Sequence, residues 1–220
     1  VIVTIDISDR ALESWGCGEW KPFESSGEQS AVIIEGTWVV NDDITPATYE
    51  TSNPQGFCYW ARLSGFSGEL NDIVANANGD SRMVVTIKGS DTGFTSTNCG
   101  QWTLLGRTGA LRTSFSDGTW LVGDDIVPGK YVTPNTGGNC YWARLSGFGG
   151  ELGDIKATGI PTGQAAVAIE EGDNGFSSSG CGTWTILEAT PTLVPTATPT
   201  PTATPVPTSV PTATPVPTAA

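Results

Sequence analysis

The sequence contains no histidine, a single methionine, and only 10 lysines and arginines in 220 residues. Without histidine, the Ser–His and Cys–His couples that activate nucleophiles cannot be built, nor can zinc sites that mix thiolate with imidazole. No GxSxG elbow and no glycine-rich phosphate loop takes their place. An enzyme is therefore not expected, and no catalytic, cofactor-binding or metal-binding residue is assigned. The shortage of cations leaves a net charge of −13, which repels nucleic acid and anionic lipid and otherwise favours solubility. No apolar run approaches the roughly 18–20 residues of a bilayer-spanning helix, so no transmembrane segment is expected. The opening VIVTIDISDR has Asp6 and no basic residue before it, unlike a signal peptide. A secreted chain would have lost its targeting segment or would carry it upstream of Val1.

What the sequence does hold is aromatic and repetitive. Eight Trp, seven Phe and four Tyr supply ample apolar area, and 28 Gly with many Thr and Val favour strands and turns over helices. The nonamer CYWARLSGF occurs at Cys58–Phe66 and again at Cys140–Phe148, 82 positions on. The same offset, without a gap, superimposes Gly36–Leu105 on Gly118–Leu187. Applied backwards it places VIVTIDISDRALESWGCGEW on the latter half of the first copy, with Cys17 on Cys99 and Trp20 on Trp102. The expected organisation is the C-terminal half of a module at 1–23, a linker at 24–35, module 1 at 36–105, a linker at 106–117 and module 2 at 118–187.

Short apolar runs between turn residues place strands at Thr37–Val40, Thr48–Thr51, Phe57–Leu63, Met83–Lys88, Gly93–Thr97 and Gln101–Leu105. Asn78–Asp80, Pro128–Lys130 and the Asp-Gly before Thr119 read as turns. The fold class is all-β, as tandem small disulfide-bonded sandwiches or barrel-like modules. The five cysteines stand 41 residues apart, so spacing alone leaves Cys58–Cys99 and Cys99–Cys140 equally open. The composition break after Leu187 decides it, because the last module must close there. That gives Cys58–Cys99 and Cys140–Cys181, leaving Cys17 unpaired or intermolecular. Two thiols per module without histidine make no zinc site, and the chain lacks the CxxC of a cytosolic redox pair, which points to an oxidising location.

Strand alternation puts Cys58, Trp60 and Arg62 on one face of the nonamer. A disulfide packed on tryptophan is a sandwich core, whereas Arg62 on that face needs an anion. Asp43 and Glu69 are the candidates for Arg62, and Asp125 and Glu151 for Arg144. Sugar stacking on Tyr59 or Trp60 is the functional rival to this structural reading. The tripeptide Asp91–Gly93, DTG, resembles an aspartic-protease motif, but module 2 has DNG there and the partial copy DRA, so it reads as a turn. The doublets Asp42–Asp43 and Asp124–Asp125 lack EF-hand spacing and read as solvated loop acids.

From Ala189 to Ala220 nine prolines and eleven threonines replace the globular composition. Such a segment favours polyproline II and would extend about 100 Å at 3.1 Å per residue. Pro/Thr-rich sequence of this kind reads as an O-glycosylated stalk at 188–220, with Thr192, Thr196, Thr198, Thr200, Thr202, Thr204, Thr208, Thr212, Thr214 and Thr218 as acceptors. The string GTW…DDIxPxxY…CYWARLSGFxGELxDI…GFxSxxCGxW resembles a β-repeat module of bacterial secreted and cell-surface proteins, found in multiples or beside low-complexity linkers. The resemblance covers residues 1–187 and implies a disulfide-stabilised extracellular β-domain, with no activity attached. The expected role is a structural subunit of a surface fibre that associates with copies of itself. Glycan-binding modules tethered to a cell surface or to a secreted enzyme are the alternative.

Overall fold

The computed structural model describes residues 1–24, 27–51, 56–107, 109–134 and 139–189. The tail threonines and the polyproline reading lie outside the described residues. Module 1 contains β1 (Val32–Ile33), β2 (Gly36–Val39), β3 (Thr48–Thr51), β4 (Cys58–Leu63), β5 (Ile73–Gly79), β6 (Met83–Thr86), β7 (Gly93–Thr97) and β8 (Trp102–Leu104). Module 2 repeats them as β9 (Ser114–Phe115), β10 (Gly118–Leu121), β11 (Gly129–Thr133), β12 (Tyr141–Leu145), β13 (Ile155–Gly159), β14 (Ala165–Ile169), β15 (Gly175–Ser179) and β16 (Trp184–Ala189). Each module is two four-stranded antiparallel sheets, β1-β8-β3-β6 with β2-β7-β4-β5, and β9-β16-β11-β14 with β10-β15-β12-β13.

The nonamer forms β4 and β12, flanked on both sides by neighbouring strands. Its alternation is the one expected: Cys58, Trp60 and Arg62 are buried, while Tyr59 and Leu63 are only partly so. Both bridges, Cys58–Cys99 and Cys140–Cys181, are formed, and Cys17 is free and exposed. Around the first bridge pack Trp60, Phe94 and Trp102, with Phe94 edge-on to Trp102 at 5.6 Å; module 2 repeats the contact between Phe176 and Trp184 at 5.3 Å. Edge-to-face rings add about 0.5–1.5 kcal/mol to their area burial.

Two turn positions show why the copies can differ and still superimpose. Asn41 has φ of 70° where module 2 has Gly123 at 80°, and Asn98 has φ of 57° where module 2 has Gly180 at 66°. Asparagine and glycine are the residues that enter the left-handed region at least cost.

The structure corrects three expectations. The segments 24–35 and 106–117 are not only linkers, because Val32–Ile33 and Ser114–Phe115 add edge strands against β8 and β16. The run IVANANG at Ile73–Gly79 is a seven-residue strand, β5, in which Asn76 and Asn78 pair across to Ala61 and Tyr59. Asn78, with Gly79 and Asp80, reads as a turn, but the ladder to β4 outweighs local preference. Residues 1–23 form no strand. Ile5 is 59% exposed where Ile87 is 1%, and Trp20 is 37% exposed where Trp102 is 0%.

Candidate functional site at the module junction

β4 delivers Arg62 into an almost closed space, 1% exposed at its side chain. Its Nε and Nη2 donate to the two carboxylate oxygens of Asp91, each at 2.7 Å. Asp91 also accepts the backbone N–H of Lys88 at 2.7 Å. The remaining guanidinium nitrogen, Nη1, leaves the module: it donates to the Gly149 carbonyl at 2.7 Å and to Glu151 at 3.1 Å. Lys88 joins the same carboxylate through Nζ at 2.8 Å. The hydrogen bond to Asp91 and its charge hold the Arg62 guanidinium above its ordinary pKa against the opposing effect of burial. Lys88, then Arg62, holds Glu151 below the usual carboxylate value.

The sequence-derived partners of the arginines are therefore corrected. Asp43 turns to its own loop and accepts the Val39 N–H at 2.9 Å, and among the described residues Glu69 makes no ion pair. Asp125 accepts from Leu121 N and from Arg82 Nη1 at 2.7 Å. Glu151 does pair with a nonamer arginine, but with Arg62 of the other module rather than with Arg144. Arg144 finds Asp173 at 2.6 Å and Glu170 at 2.6 Å. The reason is the loop Ser146–Glu151, which carries its acid away from its own strand and into the preceding module. Asp91 and Asp173 read as turn residues from their tripeptides; their recurrence at the same offset, with Asp9 in the partial copy, is the signal that identifies them. Asp124 and Asp125 are buried, at 8% and 3% exposure, rather than solvated.

A second set of contacts closes the other side of the interface. Arg82 donates to Thr119 O and Asp125 at 2.7 Å each, is held from behind by Glu50, and lies 5.1 Å from the Trp120 ring centroid. Two backbone bonds cover the outer edge of β6, Thr86 N to Phe148 O at 2.8 Å and Thr119 N to Arg82 O at 2.9 Å. A sheet edge left bare would template further pairing; here the next module occupies it. Between these anchors a crevice of about 310 Å³ runs from Trp60, Ala77 and Val84 to Tyr141, Leu145 and Phe148.

One contact of the junction occurs twice. Thr4 N donates to Phe66 O at 2.7 Å, and Thr4 and Phe66 are the counterparts of Thr86 and Phe148 at the 82-residue offset. The matching crevice, about 280 Å³, lies between Val1–Val3 and Tyr59, Leu63 and Phe66. The partial copy thus repeats one backbone contact of the complete junction.

Gly150 fixes the fit at the complete junction. Its φ is +77°, and a Cβ there would lie 2.5 Å from the Trp60 ring, which is itself stacked toward Phe94. Gly68, its counterpart with φ of +82°, faces open space. Gly68→Ala should cost only the left-handed backbone strain, about 1–2 kcal/mol. Gly150→Ala should add a steric clash that separates the modules, seen as increased solvent exposure of Trp60 by fluorescence quenching. Equal effects of the two substitutions would rule this out.

In module 2, burial raises the Asp173 carboxyl, but hydrogen bonds from Arg144 and Lys156 outweigh it and leave the group below its ordinary value. A depressed carboxylate contributes stability fully above its unfolded pKa and loses it as pH falls through the folded one. The same sign holds for Glu151. Lacking histidine, the chain has no side chain whose ordinary titration falls between pH 5 and 8. The melting temperature should therefore be level from pH 5 to 7 and drop below about pH 4, the ordinary carboxylate range. A maximum at pH 3 would contradict the assignment.

Burial places Trp60 at 3% exposure, away from any sugar, whereas Tyr141 is 37% exposed. Among the described residues no group of three acidic, cysteine or histidine side chains is placed to hold a metal ion, and no helix is long and apolar enough to cross a membrane.

Two stacked, disulfide-bonded all-β units that share an interface define a tandem extracellular module. The family described as the Rv1352-like extracellular domain matches residues 30–103 and 112–185, and the chain belongs to it. Both matches begin ahead of β1 and β9, in agreement with the edge strands that extend the modules upstream. No curated protein and no solved structure matches the chain.

Proposed function

We propose that this chain is a non-enzymatic structural subunit of an extracellular surface fibre, with modules stacked through a repeating junction and the Pro/Thr-rich segment, O-glycosylated, as a stalk. The observation that carries the reading is the recurrence of one head-to-tail contact, Thr4 on Phe66 and Thr86 on Phe148. A head-to-tail contact uses different surfaces on its two sides, so it lines modules up in series rather than closing a pair on itself. Electron microscopy of native cell-surface material should show fibres, and non-reducing electrophoresis should show species joined through Cys17. A monodisperse monomer carrying Cys17 as a reactive thiol would sink the reading.

The half-exposed Tyr141 beside the junction crevice favours a second reading, a glycan-binding module tethered by the stalk. Screening the chain and Tyr141→Ala against a glycan array separates the two, since a fibre subunit shows no sugar-dependent signal.

A further inference from the structure

The downstream faces of the two modules are one surface carrying different charges. Where module 1 has Lys88, module 2 has Glu170; where module 1 has Arg82, module 2 has Gln164. The change redirects the nonamer arginine. Arg62 sends Nη1 across the junction to Gly149 and Glu151. Arg144 has its Nε and Nη2 taken up at home, by Asp173 and by Glu170, at 2.6 Å each, and its side chain is 14% exposed, so water reaches the remaining nitrogen. A buried charge must be paired to be tolerated, so module 1 depends on a neighbour for part of that pairing and module 2 does not.

The incoming side points the same way. An approaching loop built like either copy of this chain would bring Glu69 or Glu151 toward the position of Lys88, and on module 2 that position is glutamate. Like charges at contact distance oppose docking, and arranged repulsion is a standard source of specificity. The loop of module 1 would also carry Ser67 where module 2 has Gly149, and a Cβ at Gly149 would lie 3.0 Å from the Arg62 guanidinium.

We propose that residue 88 and its counterpart 170 decide whether a module shares its arginine with the next one or closes it off internally, so that module 1 is an interior unit of the stack and module 2 its terminal unit. Lysine at this place reaches outward and clasps the neighbour's Glu151 together with Arg62. Glutamate takes the local arginine for itself and repels the neighbour's acid. The charged flank of β14, Glu170 with Arg144, is also what blunts an edge whose exposed face is otherwise alanine, at 166 and 168. The inference rests on the stacked-array reading, but concerns the junction alone.

The test uses the full chain as wild type, Lys88→Gln, Lys88→Glu and Glu170→Lys, followed by calorimetry and by trypsin cleavage at Arg107 in the connection. In the wild type the modules should unfold in one coupled transition and the connection should resist. Lys88→Glu should split unfolding into two transitions and speed cleavage at least tenfold. Lys88→Gln, which removes attraction without adding repulsion, should fall between. Glu170→Lys, which does not touch module 1, should lower the unfolding of module 2 alone and leave the connection as resistant as before. A Lys88→Glu chain that keeps one transition and wild-type cleavage would overturn the proposal, as would wild-type modules that already unfold independently. Uncoupling by Glu170→Lys would overturn it too. If Lys88→Glu fails to fold, unchanged cleavage in Lys88→Gln overturns it on its own. Absence of fibres on the cell surface would leave these outcomes unaffected, so the two readings fail separately.

Discussion

Asp91→Ala should unfold module 1 at or near physiological temperature. The substitution strips Arg62 of the carboxylate that takes two of its three nitrogens, at 2.7 Å each, inside a space where the guanidinium is 1% exposed. Breaking a buried pair by removing one partner costs about 3–5 kcal/mol, because the remaining charge is neither hydrated nor compensated. Against a typical domain stability of about 5–15 kcal/mol, that is a large part of the whole. The Lys88 N–H also loses its acceptor, since Asp91 closes the turn between β6 and β7. Asp173→Ala should be milder: Arg144 keeps Glu170 and its side chain is 14% exposed, so water can reach it. Thermal melts of the two variants, followed by near-ultraviolet dichroism of the tryptophans, would show the asymmetry. Equal losses, or no loss from Asp91→Ala, would mean that Arg62 is paired by something else.

The disulfides carry the second large effect. Each closes a loop between cysteines 41 residues apart in sequence, and cross-linking a loop of that size stabilises by about 4 kcal/mol in the chain-entropy model. Replacing Cys58 and Cys99 together by serine should therefore leave module 1 largely unfolded at 37 °C, while module 2 keeps its own bridge. The double substitution avoids a stray thiol exchanging with Cys17. In the native module the bridge is fully buried among Trp60, Phe94 and Trp102, with the Met83 sulfur 3.4 Å from Cys58, so the substitution also leaves two serine hydroxyls in an apolar core. Urea unfolding monitored separately for each module would test it. A module 1 midpoint unchanged by the double substitution would show that packing alone holds the fold.

Much of this architecture is legible along the chain because it is written twice. The exact offset identifies the modules, the position of the last CGxW before the composition break selects the cysteine pairing, and the alternation in CYWARL gives the buried face of the central strand. What escapes is whatever depends on where a loop travels. Asn78 looks like a turn residue and lies in a strand, since a ladder partner outweighs local preference. Asp91 looks like a turn acid and is the anchor of Arg62. Val32–Ile33 is too short to register as a strand until Trp102 and Thr103 are found beside it.

By itself the sequence determined that this is a tandem, disulfide-bonded β protein outside the reducing compartments, because cysteine spacing, period-2 alternation and repeat length are properties of one dimension. Only the tertiary structure decided that Glu151 answers Arg62 rather than Arg144 and that one contact serves two junctions. The reason is physical: a buried charge is paired by whatever anion the fold brings within about 3 Å, and that neighbour lies 89 residues away along the chain.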